Sequence, residues 1–339
     1  MKAAFLVKYG DASSAFEIRE VPRPKPKDQQ VLIEVEAFGL NFADVMARLG
    51  LYKAAPPLPS LLGYDVVGTI VECGPAVTEF QTGDRVTALT RFGGYAEFAV
   101  AESSVLGKIP PSMPAGVATA LSTQYCTAFF LARELANVQA KDQVLVHAAA
   151  GGVGTALVQI AKHQGCEVFG TCSSAEKVAY LRDHNVDHPI NYRQHDFAEK
   201  VTEILGNGGL DVIFDPVGGK SVKKGFRLLG AGGRILTYGV SSMNQAKSVF
   251  GKLHVLGQFG FYHPVQFLSK SRGMIGVNML TIADQKPHKI SRVMKQVISM
   301  TEAGILQPHV GGEYPAEHIG DAHAHLESRK SMGKIIVKW

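Results

Sequence analysis

The stretch that decides the fold is Val144 to Gly165, VLVHAAAGGVGTALVQIAKHQG. Val144 to Val146 is a short, apolar, β-branched-rich run and reads as a buried strand. Small residues follow, and then Val153, Leu157, Ile160 and Ala161 recur at helical spacing. A strand that turns tightly into a helix across small residues has the form of a dinucleotide cradle. Free N–H groups at the helix start face a pyrophosphate, and the helix dipole favours its negative charge. The pattern is Ala149-x-Gly151-x-x-Gly154, a relative of G-x-G-x-x-G with alanine in the first place. Ala150, Gly151, Gly152, Val153 and Gly154 are the expected phosphate-facing residues, and a Cβ at Gly151 or Gly152 would hold the phosphates away. Small residues also serve plain close packing, so the motif needs context.

The flanking sequence supplies that context. Glu167 to Thr171 and Leu210 to Phe214 read as further strands, as does Arg234 to Tyr238, with a helix over roughly 175–185. Strands alternating with helices imply a parallel sheet with right-handed crossovers, a doubly wound Rossmann domain. Residues before about 124 read differently. Val31 to Phe38 alternates apolar and polar, and short strands at Gly63–Gly74, Arg85–Leu89 and Tyr95–Val100 are separated by Gly and Pro turns. That pattern suggests a distorted β-barrel, so the fold class is α/β with two domains. Val240 to Gly273 is long and lacks clear periodicity. Its aromatic GQFGFYHP segment, Gly257 to Pro264, is a packed contact or a substrate lid.

Composition excludes several classes. A chain of 339 residues has room for two cores, and a formal charge of +5 without a basic block argues against a nucleic-acid surface. No apolar run approaches a membrane span, so no transmembrane segment is expected. The opening MKAAFLVKYG reads as a first strand and not as a signal peptide. Cys73, Cys126, Cys166 and Cys172 are scattered, which fits a reduced, cytoplasmic protein.

HAAAGGVG, with Gln159 and Lys162 after it, resembles the zinc-free quinone oxidoreductase (zeta-crystallin-like) branch of the medium-chain dehydrogenase/reductase superfamily. The likeness extends to GLNFAD at Gly39–Asp44, GYDVVG at Gly63–Gly68, GGYAE at Gly93–Glu97 and LESRKSMGKIIV at Leu326–Val337. The C-terminal part is also similar to the vesicle-amine-transport-protein-like subgroup. The resemblance implies a GroES-like catalytic domain, residues 1–124 and 281–339, and a Rossmann domain, residues 125–280. It also implies a homodimer, paired through a last Rossmann strand at Met274 to Met279.

By the same resemblance the catalytic zinc positions fall at Asn41, Tyr64 and Thr123. None supplies a thiolate or imidazole, so no metal is expected. Asn41 and Tyr52 match the polar substrate-side positions, where donors stabilise a developing oxyanion. Asn41 equally suits a helix cap, and Asp44 equally suits a dipole partner in the first helical turn. Tyr64 is a further wall candidate.

Cofactor choice is read at the end of the second Rossmann strand, where NAD enzymes usually place Asp or Glu. Here the run is Thr171-Cys172-Ser173-Ser174-Ala175-Glu176-Lys177, with no acid at the strand end. Ser173, Ser174 and Lys177 suit a 2′-phosphate, although Lys177 also suits a solvated helix face. Family positions around the cofactor fall at Thr127, Tyr192, Tyr238, Gly239, Asn278 and Arg329. The expected activity is NADPH-dependent reduction of a small quinone or enone. The alternatives are an enoyl or alkenal reductase and a cofactor-binding regulatory protein with little turnover.

Overall fold

A computed structural model describes residues 1–242 and 249–339. The chain forms two compact units. Met1–Cys126 and Met279–Trp339 make one, and Thr127–Asn278 makes the other.

The second unit is built on a six-stranded parallel sheet. Its strands run in the order His188–Asn191, Glu167–Cys172, Gln143–Val146, Leu210–Asp215, Leu229–Thr237 and Gly273–Gly276. In order of appearance along the chain this is 3-2-1-4-5-6, the doubly wound arrangement of dinucleotide-binding sheets. The central strands are apolar over most of their length because both faces are covered. Leu145, Phe169, Ile213 and Ile235 pack with Val222 and Phe226 from the helix Lys220–Leu228.

Two expectations need correction here. The last strand stops at Gly276, and Met279 begins the helix Met279–Gln285. Gly276 and Asn278, both poor strand formers, end the run before Met279. The stretch after Tyr238 is also less irregular than its sequence suggests. It holds the helices Val249–Gln258 and Pro264–Lys270, the latter started by a proline after His263. Residues 243–248 of that stretch lie outside the described residues.

The first unit holds a seven-stranded sheet around the long strand Gln30–Leu40. Asp65–Cys73, Phe98–Glu102 and the C-terminal Lys334–Lys338 all pair antiparallel with it. Two register shifts against Asp65–Cys73 bend the long strand, as expected of a distorted barrel wall. The core gathers Ile33, Phe38, Leu40, Val66 and Val86 with Ile335 and Val337. Register sets the site. At the end of the long strand Gly39 lies opposite Asp65 on one side and Ile336 on the other. Asn41 therefore leaves the sheet flanked by Asp65 and Lys334.

A helical run over 115–135, with wide π-type turns at Leu121–Tyr125 and Phe130–Leu135, has no counterpart in the sequence reading. It is buried over most of its circumference, so it carries no amphipathic stripe to betray it.

Candidate active site

In the second unit the helix Gly152–His163 starts at Gly151, whose backbone is extended and whose first turn has no side-chain cap and no acid. Its leading N–H groups are available to an anion. Gly154 is the residue the fold demands, since a Cβ there would lie 2.7 Å from Ala149 Cα. A Cβ at Gly151 would meet only Ala148 O, at 3.3 Å, a tight contact but far milder than at Gly154.

At the next strand end, Ser174 caps the helix Ala175–Asp183, accepting from the Lys177 backbone N–H at 3.2 Å. Its oxygen is thus committed to the helix, and only its O–H is left to donate. Ser173 is half-buried and Tyr192 is exposed, its N–H bonded to Cys172 O. The Lys177 side chain is 9% exposed, which is not the solvated lysine of an ordinary helix face. Burial holds its ammonium below the ordinary lysine range, with Cys172 and Glu176 opposing the shift and Arg193 adding to it. A desolvated lysine in electrostatic reach of both Glu176 and Arg193 can take part in holding an anion. Arg193 is absent from the sequence reading because its proximity to Lys177 spans two strands of the sheet.

The remaining cofactor candidates are more dispersed. Thr127, Ala150 and Gly154 are buried, and Gly152 and Val153 are half-buried. The Tyr238 N–H donates to Asp215 O, and Gly239 packs on Pro216. Asn278 is exposed. Arg329, in the first unit, is half-buried with φ at 60°, just past the helix Ile319–Glu327.

In the first unit Asn41, Asp65, Thr123 and Lys334 converge. Lys334 and Asp65 are fully buried and form an ion pair. Asn41 Nδ2 and Thr123 Oγ1 both donate to Asp65 Oδ1, the latter at 3.0 Å, and Lys334 Nζ donates to Asn41 Oδ1 at 3.1 Å. Burial pushes the Asp65 carboxyl up, and Lys334, Asn41 and Thr123 oppose the shift. Gly39 makes this possible, because any Cβ there would overlap the Lys334 side chain. Asp65 and Lys334 escaped the sequence reading. Both sit in strands whose neighbours are apolar, and only pairing across the sheet brings them together.

Asp44 closes the capping box at the start of the helix Phe42–Arg48. Its carboxylate accepts from the Asn41 N–H at 2.8 Å and from the Gly63 N–H at 3.3 Å. Burial pushes its pKa up to about 7, despite these bonds. The folded state therefore keeps a proton that the unfolded chain releases near pH 4. Stability contributed by this group is present at low pH and is lost as pH rises toward 7. Asp44→Asn should flatten that slope, which spans a few kcal/mol on the scale of about 1.4 kcal/mol per pKa unit. Urea midpoints of both proteins between pH 4 and 8 measure it, and parallel slopes would refute it.

Tyr52, Tyr64 and Phe92 form an aromatic group. Tyr64 stands edge-on to Tyr52 at 6.3 Å between centroids and lies 5.0 Å from Phe92. Phe92 has φ at 66°, a strained value for a bulky residue. The Tyr64 hydroxyl is buried and interacts with the hydroxyl of Tyr52, and burial pushes the pKa of both phenols up.

Two family models match, the alcohol dehydrogenase GroES-like domain over residues 27–111 and the zinc-binding dehydrogenase model over 152–296. Human quinone oxidoreductase is 30% identical over 339 residues, covering 99% of this chain and 97% of that protein. The chain belongs to the medium-chain dehydrogenase/reductase superfamily. The synaptic vesicle membrane protein VAT-1 homolog of Danio rerio is 35% identical over 318 residues. That match takes in 93% of this chain and 65% of the relative's length. The structure of Escherichia coli quinone oxidoreductase complexed with NADPH superposes with a TM-score of 0.88 at 25% identity, each chain covered in full.

Zinc, which the description of the second family model names, does not fit. Asn41, Tyr64 and Thr123 offer no thiolate or imidazole, and Asp65 is already held by three donors. Among the described residues no three His, Cys, Asp or Glu side chains are grouped as metal ligands. His323 and His325 are used separately, the first beside the Tyr95 hydroxyl and the second beside that of Tyr314.

Proposed function

We propose that this chain is an NADPH-dependent, zinc-free oxidoreductase that reduces quinones or other activated carbonyl compounds. The observation that carries the cofactor is the open helix start at Gly151–Val153 together with Lys177 and Arg193 at an acid-free strand end. NADPH supplies the hydride when bound. The first helical turn would hold its pyrophosphate, and Lys177, Arg193 and the hydroxyls of Ser173 and Ser174 would hold its 2′-phosphate. Thr127, Tyr192, Tyr238, Gly239, Asn278 and Arg329 stay in the proposal on family likeness.

On the substrate side, Tyr52, Tyr64 and Phe92 offer aromatic faces suited to a flat acceptor. Asn41 offers an N–H to an oxygen that gains charge, and the Tyr52–Tyr64 hydroxyl pair offers a second donor. The protein mainly orients the reactants and keeps water away. The test is NADPH oxidation against a panel of quinones, enones and alkenals, with Tyr52→Phe and Tyr64→Phe alongside. Tight NADPH binding with no turnover on any acceptor would reject the enzyme reading in favour of a regulatory cofactor-binding protein. Turnover confined to enals would make it a double-bond reductase.

Two further properties belong to this reading. Metal analysis of the active protein should find no stoichiometric zinc, and a chelator should leave turnover unchanged. A full equivalent lost together with activity would overturn the ligand argument. A homodimer is expected, because the strand Gly273–Gly276 has no partner on its outer edge among the described residues. Light scattering at micromolar concentration checks it, and a monomer would count against it. Four unpaired cysteines accord with a reducing compartment such as the cytoplasm.

A further inference from the structure

We infer that the buried Lys334–Asp65 ion pair is a positioning device that locks the Asn41 side-chain amide in one orientation, so that the site meets its substrate with an N–H donor. The inference rests on the reading of Asn41 as a substrate-side residue. It goes beyond that reading by saying what orients Asn41 and which substrate chemistry the orientation selects.

An asparagine amide is nearly symmetric in shape, and a flip exchanges its oxygen and nitrogen. Its neighbours decide which way it sits. Lys334 is a donor only. Asp65 is an acceptor, since Lys334, Asn41 and Thr123 all point hydrogens at its two oxygens. Asn41 lies between the two charges, with Oδ1 toward Lys334 Nζ and Nδ2 toward Asp65 Oδ1. The flipped amide would set N–H against an ammonium and a carbonyl oxygen against a carboxylate. Both contacts are repulsive, and both would occur where water does not weaken them. The amide is thereby held in one state.

That state has a chemical consequence. The oxygen of Asn41 is occupied by Lys334, and one of its two N–H hydrogens is occupied by Asp65. The second N–H has no partner among the described residues. Asn41 can therefore donate a hydrogen bond from this N–H, while its oxygen is turned toward Lys334. A fixed donor stabilises an oxygen that becomes negative during reduction, with no reorientation cost at the moment of reaction. The substrate class so selected is a carbonyl compound whose oxygen gains charge, as in a quinone or enone.

The test is a cycle of variants read by single-turnover hydride transfer. Asn41→Ala should slow transfer about a hundredfold, the usual effect of losing one such donor. Two pair variants remove the lock without leaving a lone buried charge, Lys334→Met with Asp65→Leu and Lys334→Gln with Asp65→Asn. Each should slow transfer about tenfold or more while NADPH affinity stays within about twofold. In either background, adding Asn41→Ala should cost less than about threefold, because the two changes remove one function.

Pair variants that fold and retain wild-type transfer would overturn the inference while leaving the role of Asn41 intact. So would losses that multiply. Asn41→Ala with wild-type transfer would overturn both. Neutron diffraction on the wild-type protein decides independently of any variant. Amide deuterium toward Asp65 is the expected result, and amide deuterium toward Lys334 is the result that sinks the inference.

Discussion

Lys177→Ala is expected to weaken NADPH about ten- to a hundredfold and to leave NADH almost unchanged. A hydrogen bond to a charged partner contributes roughly 1.5–3 kcal/mol, and about 1.4 kcal/mol is tenfold in affinity. NADH lacks the 2′-phosphate and so does not sense the loss. The helix start survives the substitution, because Ser174 is bonded to the backbone N–H of Lys177 and not to its side chain. The side chain is buried, so its stem also contributes packing. Lys177→Met keeps that packing and removes only the charge, and it should reproduce the loss for NADPH. Burial also changes the expected salt dependence. An exposed lysine would be screened by salt, whereas a desolvated one keeps most of its effect. Calorimetric titration of both cofactors against the three proteins, at low and high salt, is the measurement. Equal losses for NADPH and NADH would mean a damaged fold. No loss for either would leave Lys177 without a role at the phosphate.

The largest effect on stability is expected from Lys334→Met alone. It strands Asp65 fully buried, without its cation. Removing one partner of a buried pair typically costs about 3–5 kcal/mol, because the remaining charge has neither water nor a counter-ion. Replacing both partners, as in Lys334→Met with Asp65→Leu, should cost far less, since an apolar pair of similar size is often tolerated. The single variant should also show a distinctive pH response. An unpaired buried carboxyl has its pKa pushed further up, so the loss is greatest at high pH and shrinks as acid protonates Asp65. Denaturant midpoints of the wild type and both variants across pH test this. A single variant as stable as the double would show that Asp65 is not a buried charge in the folded state.

The two-domain α/β class was legible because it rests on local signals. VLVHAAAGGVG carries a strand, a tight turn and a helix start within eleven residues, and the strand–helix alternation that follows has only one common solution. Ala150 to Gly154 could be placed at the turn from strand to helix for the same reason, since that turn is made by consecutive residues. The absence of thiolates and imidazoles at Asn41, Tyr64 and Thr123 was equally plain, because residue chemistry does not depend on folding. Other features were hidden by the absence of a local pattern. The helical run over 115–135 is buried on most sides and so shows no amphipathic stripe. What only the tertiary structure decided is which charges meet. Lys334 reaches Asp65 across 269 positions of sequence, through strands that flank the same end of Gln30–Leu40. Arg193 approaches Lys177 from the next strand, and Asp44 acquires its raised pKa only once its helix is covered. Sequence by itself determined which elements form and what chemistry each side chain can offer. Strand register and burial, which depend on every element at once, decided which side chains lose their water and which partners they find.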